Sequence, residues 1–174
     1  MNKEIAKIKG KMVKLEGFFK DVAKEFRKEI HVENLYFLME NKKTGGFITK
    51  YSTCAGNPSF NDKELRILCS DDGNGLIFPE LTFKYDNRSI IKRTLLTKIQ
   101  WKIRFYKIHA ILPIYFDDKI ICLILFQRRS VESWSDGSYD FLKEIKKEIE
   151  YYLASILLYN QALDGVMKKC MALD

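Results

Sequence analysis

The sequence has two histidines (His31 and His109), three prolines, and four cysteines (Cys54, Cys69, Cys122 and Cys170) with no CxxC or other metal-ligand spacing. A structural zinc module needs several closely spaced His and Cys ligands, so that class is excluded. Nucleophilic catalysis needs a nucleophile, a base and an orienting group within reach of one another. His31 closes a helical stretch, where the helix dipole favours a cation, and His109 opens a strand, so structural roles account for both. No glycine-rich loop opens a helix, which excludes the common phosphate cradles. The paired carboxylates Asp71-Asp72 and Asp117-Asp118 stand in turn contexts that explain them. The chain reads as a binding or regulatory module and not as an enzyme.

Long apolar runs are also missing. The most apolar stretch, residues 120–126, is far too short to span a bilayer and reads as a buried strand. The first residues are laced with Lys and Glu and contain no apolar signal region. With no export signal the cysteines read as reduced thiols, and a cytoplasmic location is expected.

Positive charge is abundant and uneven. The net charge is +7. Much of it falls on one stretch: Lys84, Arg88, Lys92, Arg93, Lys98, Lys102, Arg104 and Lys107 stand against Asp86 alone. The stretch is either a solvated helix face or an anion-facing surface. Its aromatics do not alternate with the cations in any RNA-binding motif, so nucleic acid is the least favoured partner.

Two amphipathic stripes frame the chain. Ile5, Ile8, Met12, Leu15, Phe19, Val22 and Phe26 recur at spacings of three and four, predicting one helix over residues 3–30 that passes through Gly10 and Gly17. A second stripe runs through Leu142, Ile145, Ile149, Tyr152, Ile156, Tyr159, Leu163, Val166, Cys170 and Leu173, predicting a helix from about residue 138 to the end. Both have the a/d spacing of a coiled-coil seam, and a homodimer through them is expected. Between them the pattern predicts a hairpin (34–40 and 47–53), short strands at 65–69 and 76–83, a helix from about residue 89, and a hairpin (109–116 and 119–126) turning at Asp117-Asp118. Organisation is read as 1–32 dimerisation helix, 33–137 sheet and pocket segment, and 138–174 signalling helix, all within one domain. Antiparallel pairs flanked by helices predict an α+β fold.

Residues 109–126 carry the most specific pattern: an apolar run, Pro113, an apolar residue, a short polar turn and a second apolar run. The loop at 134–137, the following Tyr139-Asp140-Phe141-Leu142, and residues 151–162 including Asn160 extend it. In this order the sequence resembles a GAF domain over residues 33–162, with Cys122 where the family has a smaller residue, often glycine. The resemblance implies an antiparallel sheet with the terminal helices on one face and a ligand pocket on the other, built from residues 55–107. Tyr51, Phe60, Phe78, Phe83, Tyr85, Trp101 and Phe105 are then either core or pocket wall, with Arg88, Lys92 or Arg104 available to an acidic ligand.

The residue set of cyclic-nucleotide GAF domains and the bilin-attachment motif are both absent, so neither ligand is assigned and the cofactor is left unknown. Cys54 and Cys69 fall in the pocket segment. They keep open the alternative of a thiol enzyme of the free methionine sulfoxide reductase type, against that of small buried hydrophobes. Residues 172–174 resemble the lead into a GGDEF diguanylate cyclase domain, so the expected role is a sensory module feeding an output domain through its last helix. A histidine kinase could use the same helix.

Overall fold

The computed structural model of the chain describes residues 10, 12–69, 76–78, 90–127 and 135–172. Expectations that fall on Ile5, Ile8, Phe83, Tyr85, Arg88, Leu173 and Asp174 lie outside them.

The core begins with side-chain alternation on two adjacent strands. In β1 (Asn34–Glu40), Leu35, Phe37 and Met39 enter one apolar cluster while Tyr36 and Leu38 enter another. In β5 (Lys119–Gln127), Cys122, Ile124 and Phe126 join the first cluster and Leu123 and Leu125 the second. A strand with apolar residues on both faces needs cover on both sides. The two strands pair antiparallel without a slip from Asn34↔Gln127 to Met39↔Cys122. Around them β2 (Phe47–Ser52), β3 (Ser59–Phe60) and β4 (Ile108–Phe116) complete a five-stranded antiparallel sheet in the order β3-β2-β1-β5-β4.

Turn chemistry fixes the hairpins. Asp117 and Asp118 both have positive φ, 50° and 58°, the two-residue turn whose twist matches antiparallel strands. At Gly46 a Cβ would lie 2.7 Å from the Phe60 carbonyl oxygen, so β3 can approach only over glycine.

One face of the sheet is covered by α1 (Leu15–Ile30) and the last helix. Phe19, Val22, Phe26 and Ile30 are the buried stripe of α1. Phe19 stacks on Phe37 at 4.8 Å, and Phe26 meets Phe126 edge-on at 5.1 Å. The expected single helix over 3–30 is corrected here. Met12, Val13 and Lys14 are not helical, and Lys14 is extended. The Val13 backbone is instead hydrogen-bonded to a side chain of the last helix, Asn160, so the heptad stripe is interrupted between Met12 and Leu15.

The other face is covered by α2 (Asp62–Leu68) and α3 (Ile90–Phe105). The expected strand at 65–69 is also corrected: α2 is a helix. The Asn61 side chain accepts from the Glu64 N–H, and the Glu64 carboxylate accepts from the Asn61 N–H, a complete capping box. Leu65 and Leu68, three residues apart, then share its buried face. Of the expected strand at 76–83, residue Ile77 forms a single bridge to Ile111, and residues 79–83 lie outside the described set.

The last helix, α4 (Asp136–Met171), is capped by the Ser135 side chain. Leu142, Ile149 and Leu153 face the sheet. Glu150 accepts the Tyr115 N–H at 3.1 Å, where β4 slips register against β5. Beside it Lys146 is buried, 3.7 Å from Glu150 and 5.0 Å above the Tyr115 ring, and burial lowers its pKa. Among the described residues no helix is long and apolar enough to cross a membrane.

Candidate functional site

Among the described residues, the predicted pocket aromatics do not converge. Tyr51 lies on the α1 side, 5.7 Å from Phe37 and 6.5 Å from Phe19. Phe78 packs on the same side, 6.0 Å from Tyr139 of α4. Phe60 is buried on the opposite face among Leu65, Leu68, Ile99 and Leu123. Trp101 and Phe105 stack on each other at 5.0 Å, but on the outer side of α3, where they are 60% and 62% exposed. Period decides this. Ile99 and Ile103 are the α3 residues turned to the sheet, which places Trp101 and Phe105 away from it.

On the α2–α3 face a buried carboxylate is paired with a partly exposed ammonium. Lys102 Nζ reaches both Glu64 carboxylate oxygens, at 2.9 and 2.7 Å, and donates to the Ser59 carbonyl at 2.8 Å. It also sits 5.3 Å from the Phe60 ring centroid. Glu64 is 2% exposed. A buried carboxylate needs such partners, because desolvation otherwise exceeds what one contact returns. The pair ties α3 to α2 and β3, and it removes Lys102 from the basic surface that the sequence suggested.

A second polar group closes the end of the sheet beside Gln127. The Gln127 side chain donates to the Tyr36 hydroxyl at 3.1 Å and to the Tyr106 carbonyl, and it accepts from Asn34 at 3.1 Å. Tyr36 in turn donates to the Ala55 carbonyl at 3.1 Å. Burial, then the neighbouring Cys54, pushes the Tyr36 phenol well above its usual range. Gly56, at φ +113°, passes so close that a Cβ would lie 3.3 Å from the Tyr36 hydroxyl.

Burial works against activation at two of the thiols. Cys54 Sγ–H donates to the Gln127 amide oxygen at 3.9 Å. Burial pushes Cys69 up to about 11, the direction opposite to activation. Cys122 is fully buried under α1 and α4 and is pushed up further still by desolvation.

Concave surface lies at the far end of the α2 side. A groove of about 570 Å³ runs between the β1–β2 turn, α2 and the β4–β5 turn, floored by Phe47, Leu65, Cys69, Tyr115 and Ile120. Asp62 and Arg66, an ion pair at 3.0 Å, and Lys119 and Asp118 stand on its rim. Its floor combines strand residues with the face of α2, so a sequence reading that made α2 a strand could not assemble it.

The predicted signalling residues divide along α4. Leu142 and Ile149 are spent on the sheet, Ile156 and Leu163 are half-buried, and Tyr152, Tyr159 and Val166 are exposed at 57%, 45% and 48%. Tyr151, Leu158 and Met171 are exposed as well. Of the α1 set, Leu15 packs on the core and Met12 is half-buried. At 36 residues α4 is about 54 Å long, while a nine-residue strand such as β5 spans only about 30 Å. The helix therefore overshoots the sheet that supports it.

No protein family matches the sequence, and no curated protein does. Solved structures do match. The GAF domain of a two-component sensor histidine kinase from Bacillus halodurans superposes with a TM-score of 0.59 at 15% identity, over 84% of this chain and 97% of that one. A GAF domain/HD domain protein from Geobacter sulfurreducens gives 0.58 at 11% identity, over 88% and 98%. The blue-light absorbing form of the Thermosynechococcus elongatus PixJ GAF domain gives 0.57 at 14%, over 86% and 90%. The fold is the α+β fold of GAF domains, as the strand and helix order implies.

Proposed function

We propose that the chain is a cytoplasmic sensory or regulatory domain, not itself catalytic, that works as a homodimer and passes its state along α4 to an output domain. The observation that carries this reading is the division of α4. One side is packed on the sheet through Leu142, Ile149 and Leu153, while Tyr152, Tyr159 and Val166 keep apolar surface in water along a helix longer than the sheet. Exposed apolar surface costs about 25 cal/mol per Å², and a second copy of the helix is its natural cover. A small displacement on the sheet side would then be read out along the paired helices.

The ligand side is the face covered by α2 and α3. We assign the groove over Leu65, Cys69 and Tyr115 as the entrance for a small molecule, with Phe60 beneath it in the packed core. For the output, residues 172–174 favour a diguanylate cyclase, which acts as a dimer. The sensor histidine kinase whose GAF domain is similar in fold favours the alternative. The test is the molar mass by light scattering across a concentration series, for the wild type and for the Tyr152→Glu/Tyr159→Glu variant. A concentration-dependent dimer that the variant loses supports the reading; a strict monomer at high concentration defeats it.

A further inference from the structure

The outer face of α3 bears a surface that neither the ligand side nor the α4 pairing uses. Trp101 and Phe105, one turn apart, stack at an interplanar angle of 17° and are each more than half exposed. Phe105 also meets Tyr106 edge-on at 5.0 Å, which holds the stack against the body of the protein. Exposed Lys98 and Arg104 stand three residues before and after Trp101 on the helix, exposed Lys107 follows just past its end, and none of the three takes part in an ion pair among the described residues. Residues 90–107 contain no Asp or Glu at all, in a chain that has 23. The helix is also held in place from behind. Lys102 is locked inward on Glu64, and Ile99 and Ile103 are buried on the sheet. A rigid aromatic anchor with a guanidinium beside it is the composition of an interface centre and not of an ordinary solvated face.

We propose that this face of α3 docks an acidic protein segment, one that lays an apolar side chain on the Trp101–Phe105 stack and sets carboxylates against Lys98, Arg104 and Lys107. The alternatives fit less well. A second copy joined by a two-fold axis would set this cationic face against itself, which is repulsive. Single-stranded nucleic acid needs open ring faces for successive bases and many phosphate contacts. Here the two rings cover one another, and one of the helix's cations is already neutralised by Glu64. Because α3 and α4 cover opposite faces of the sheet, docking here leaves the α4 pairing free.

The test uses the whole chain as bait for a random dodecapeptide display library. Trp101→Ala and Lys98→Glu/Arg104→Glu serve as counter-baits. The enriched peptides should carry net negative charge and an aromatic or branched apolar residue. Their affinity should fall at least about tenfold for each variant, and it should weaken as salt is raised. The replaced side chains are exposed, so the melting temperature of each variant should stay close to that of the wild type and separate lost docking from lost fold. Three results overturn the proposal: enriched peptides that are neutral or basic, enrichment that survives Trp101→Ala, or an oligothymidylate that binds the same face more tightly than the best acidic peptide.

Discussion

The side-chain amide of Asn160 pairs with the backbone of Val13 in both directions: Val13 N–H donates to Oδ1, and Nδ2 donates to the Val13 carbonyl, each at 3.0 Å. A side chain thereby replaces the partners that the Val13 backbone would have inside a helix. The contact joins the segment before α1 to the C-terminal half of α4. Asn160→Ala removes both bonds. Each exposed bond contributes about 0.5–1.5 kcal/mol net, and about 1 kcal/mol shifts the melting temperature of a domain this size by about 2–4 °C. The expected result is a fall of a few degrees, with selectively faster amide exchange at Val13. Unchanged exchange there would mean that the pairing has no energetic weight.

The buried pair Glu64–Lys102 should respond asymmetrically. Lys102→Met leaves the 2%-exposed Glu64 carboxylate without its cation, whereas Glu64→Gln leaves an ammonium that is 24% exposed and can turn to water. Glutamine also keeps the capping box at Asn61. Lys102→Met should therefore cost about 2–4 kcal/mol, a range set below that of a fully buried pair because of the partial exposure. Glu64→Gln should cost clearly less. The double variant should recover part of the loss, since no unpaired charge is then buried. Chemical denaturation of the three variants measures this, and equal losses for both single variants would contradict the asymmetry.

Alkaline pH should destabilise the fold, with a contribution traceable to Cys69. Its thiol is raised from 9.0 to about 11 by burial. The folded state therefore holds its proton where the unfolded chain has released it. The associated stability is complete below pH 9.0 and is lost as pH rises toward about 11. Tyr36 and Tyr115, raised chiefly by burial, act in the same direction at higher pH. Lys146, lowered by burial, acts in the opposite direction, because the unfolded chain binds its proton more tightly. Cys69→Ala should flatten the decline of melting temperature between pH 9 and 11. An unaltered slope would show that the thiol titrates alike in both states.

The elements with strong apolar patterns are legible in the sequence alone. The strands at 34–40 and 119–126 and the Asp117-Asp118 turn appear where the sequence places them. The misreadings share a cause, which is polar chemistry overriding apolar pattern. Asn61 and Glu64 make a capping box that turns a five-residue apolar stretch into helix. Asn160 reaches across the chain to halt a heptad stripe that looked continuous. The described aromatics of the predicted pocket are dispersed for another reason. Composition gathers Tyr51, Phe60 and Trp101 in one region of sequence, but the pleat and the helical turn send them to three different surfaces.

The two sides of α4 make separable predictions. Leu153 is fully buried against the sheet, and Leu153→Ala should cost about 2–5 kcal/mol through the cavity it leaves. It should leave association of the remaining folded protein unchanged, since it presents nothing to a partner. Val166 is 48% exposed, beyond the end of the sheet-packed segment. Val166→Asp should therefore leave the stability of the isolated fold within about half a kcal/mol of the wild type. In a helix pair the same aspartate would lie in the seam opposite its own copy, combining desolvation with like-charge repulsion. The expected outcome is a dimer dissociation constant raised at least about tenfold, a cost of about 1.4 kcal/mol, measured by sedimentation equilibrium. If Leu153→Ala dissociates the protein while Val166→Asp does not, pairing runs through the sheet side, and the division of labour along α4 is the reverse of the one argued from its exposure.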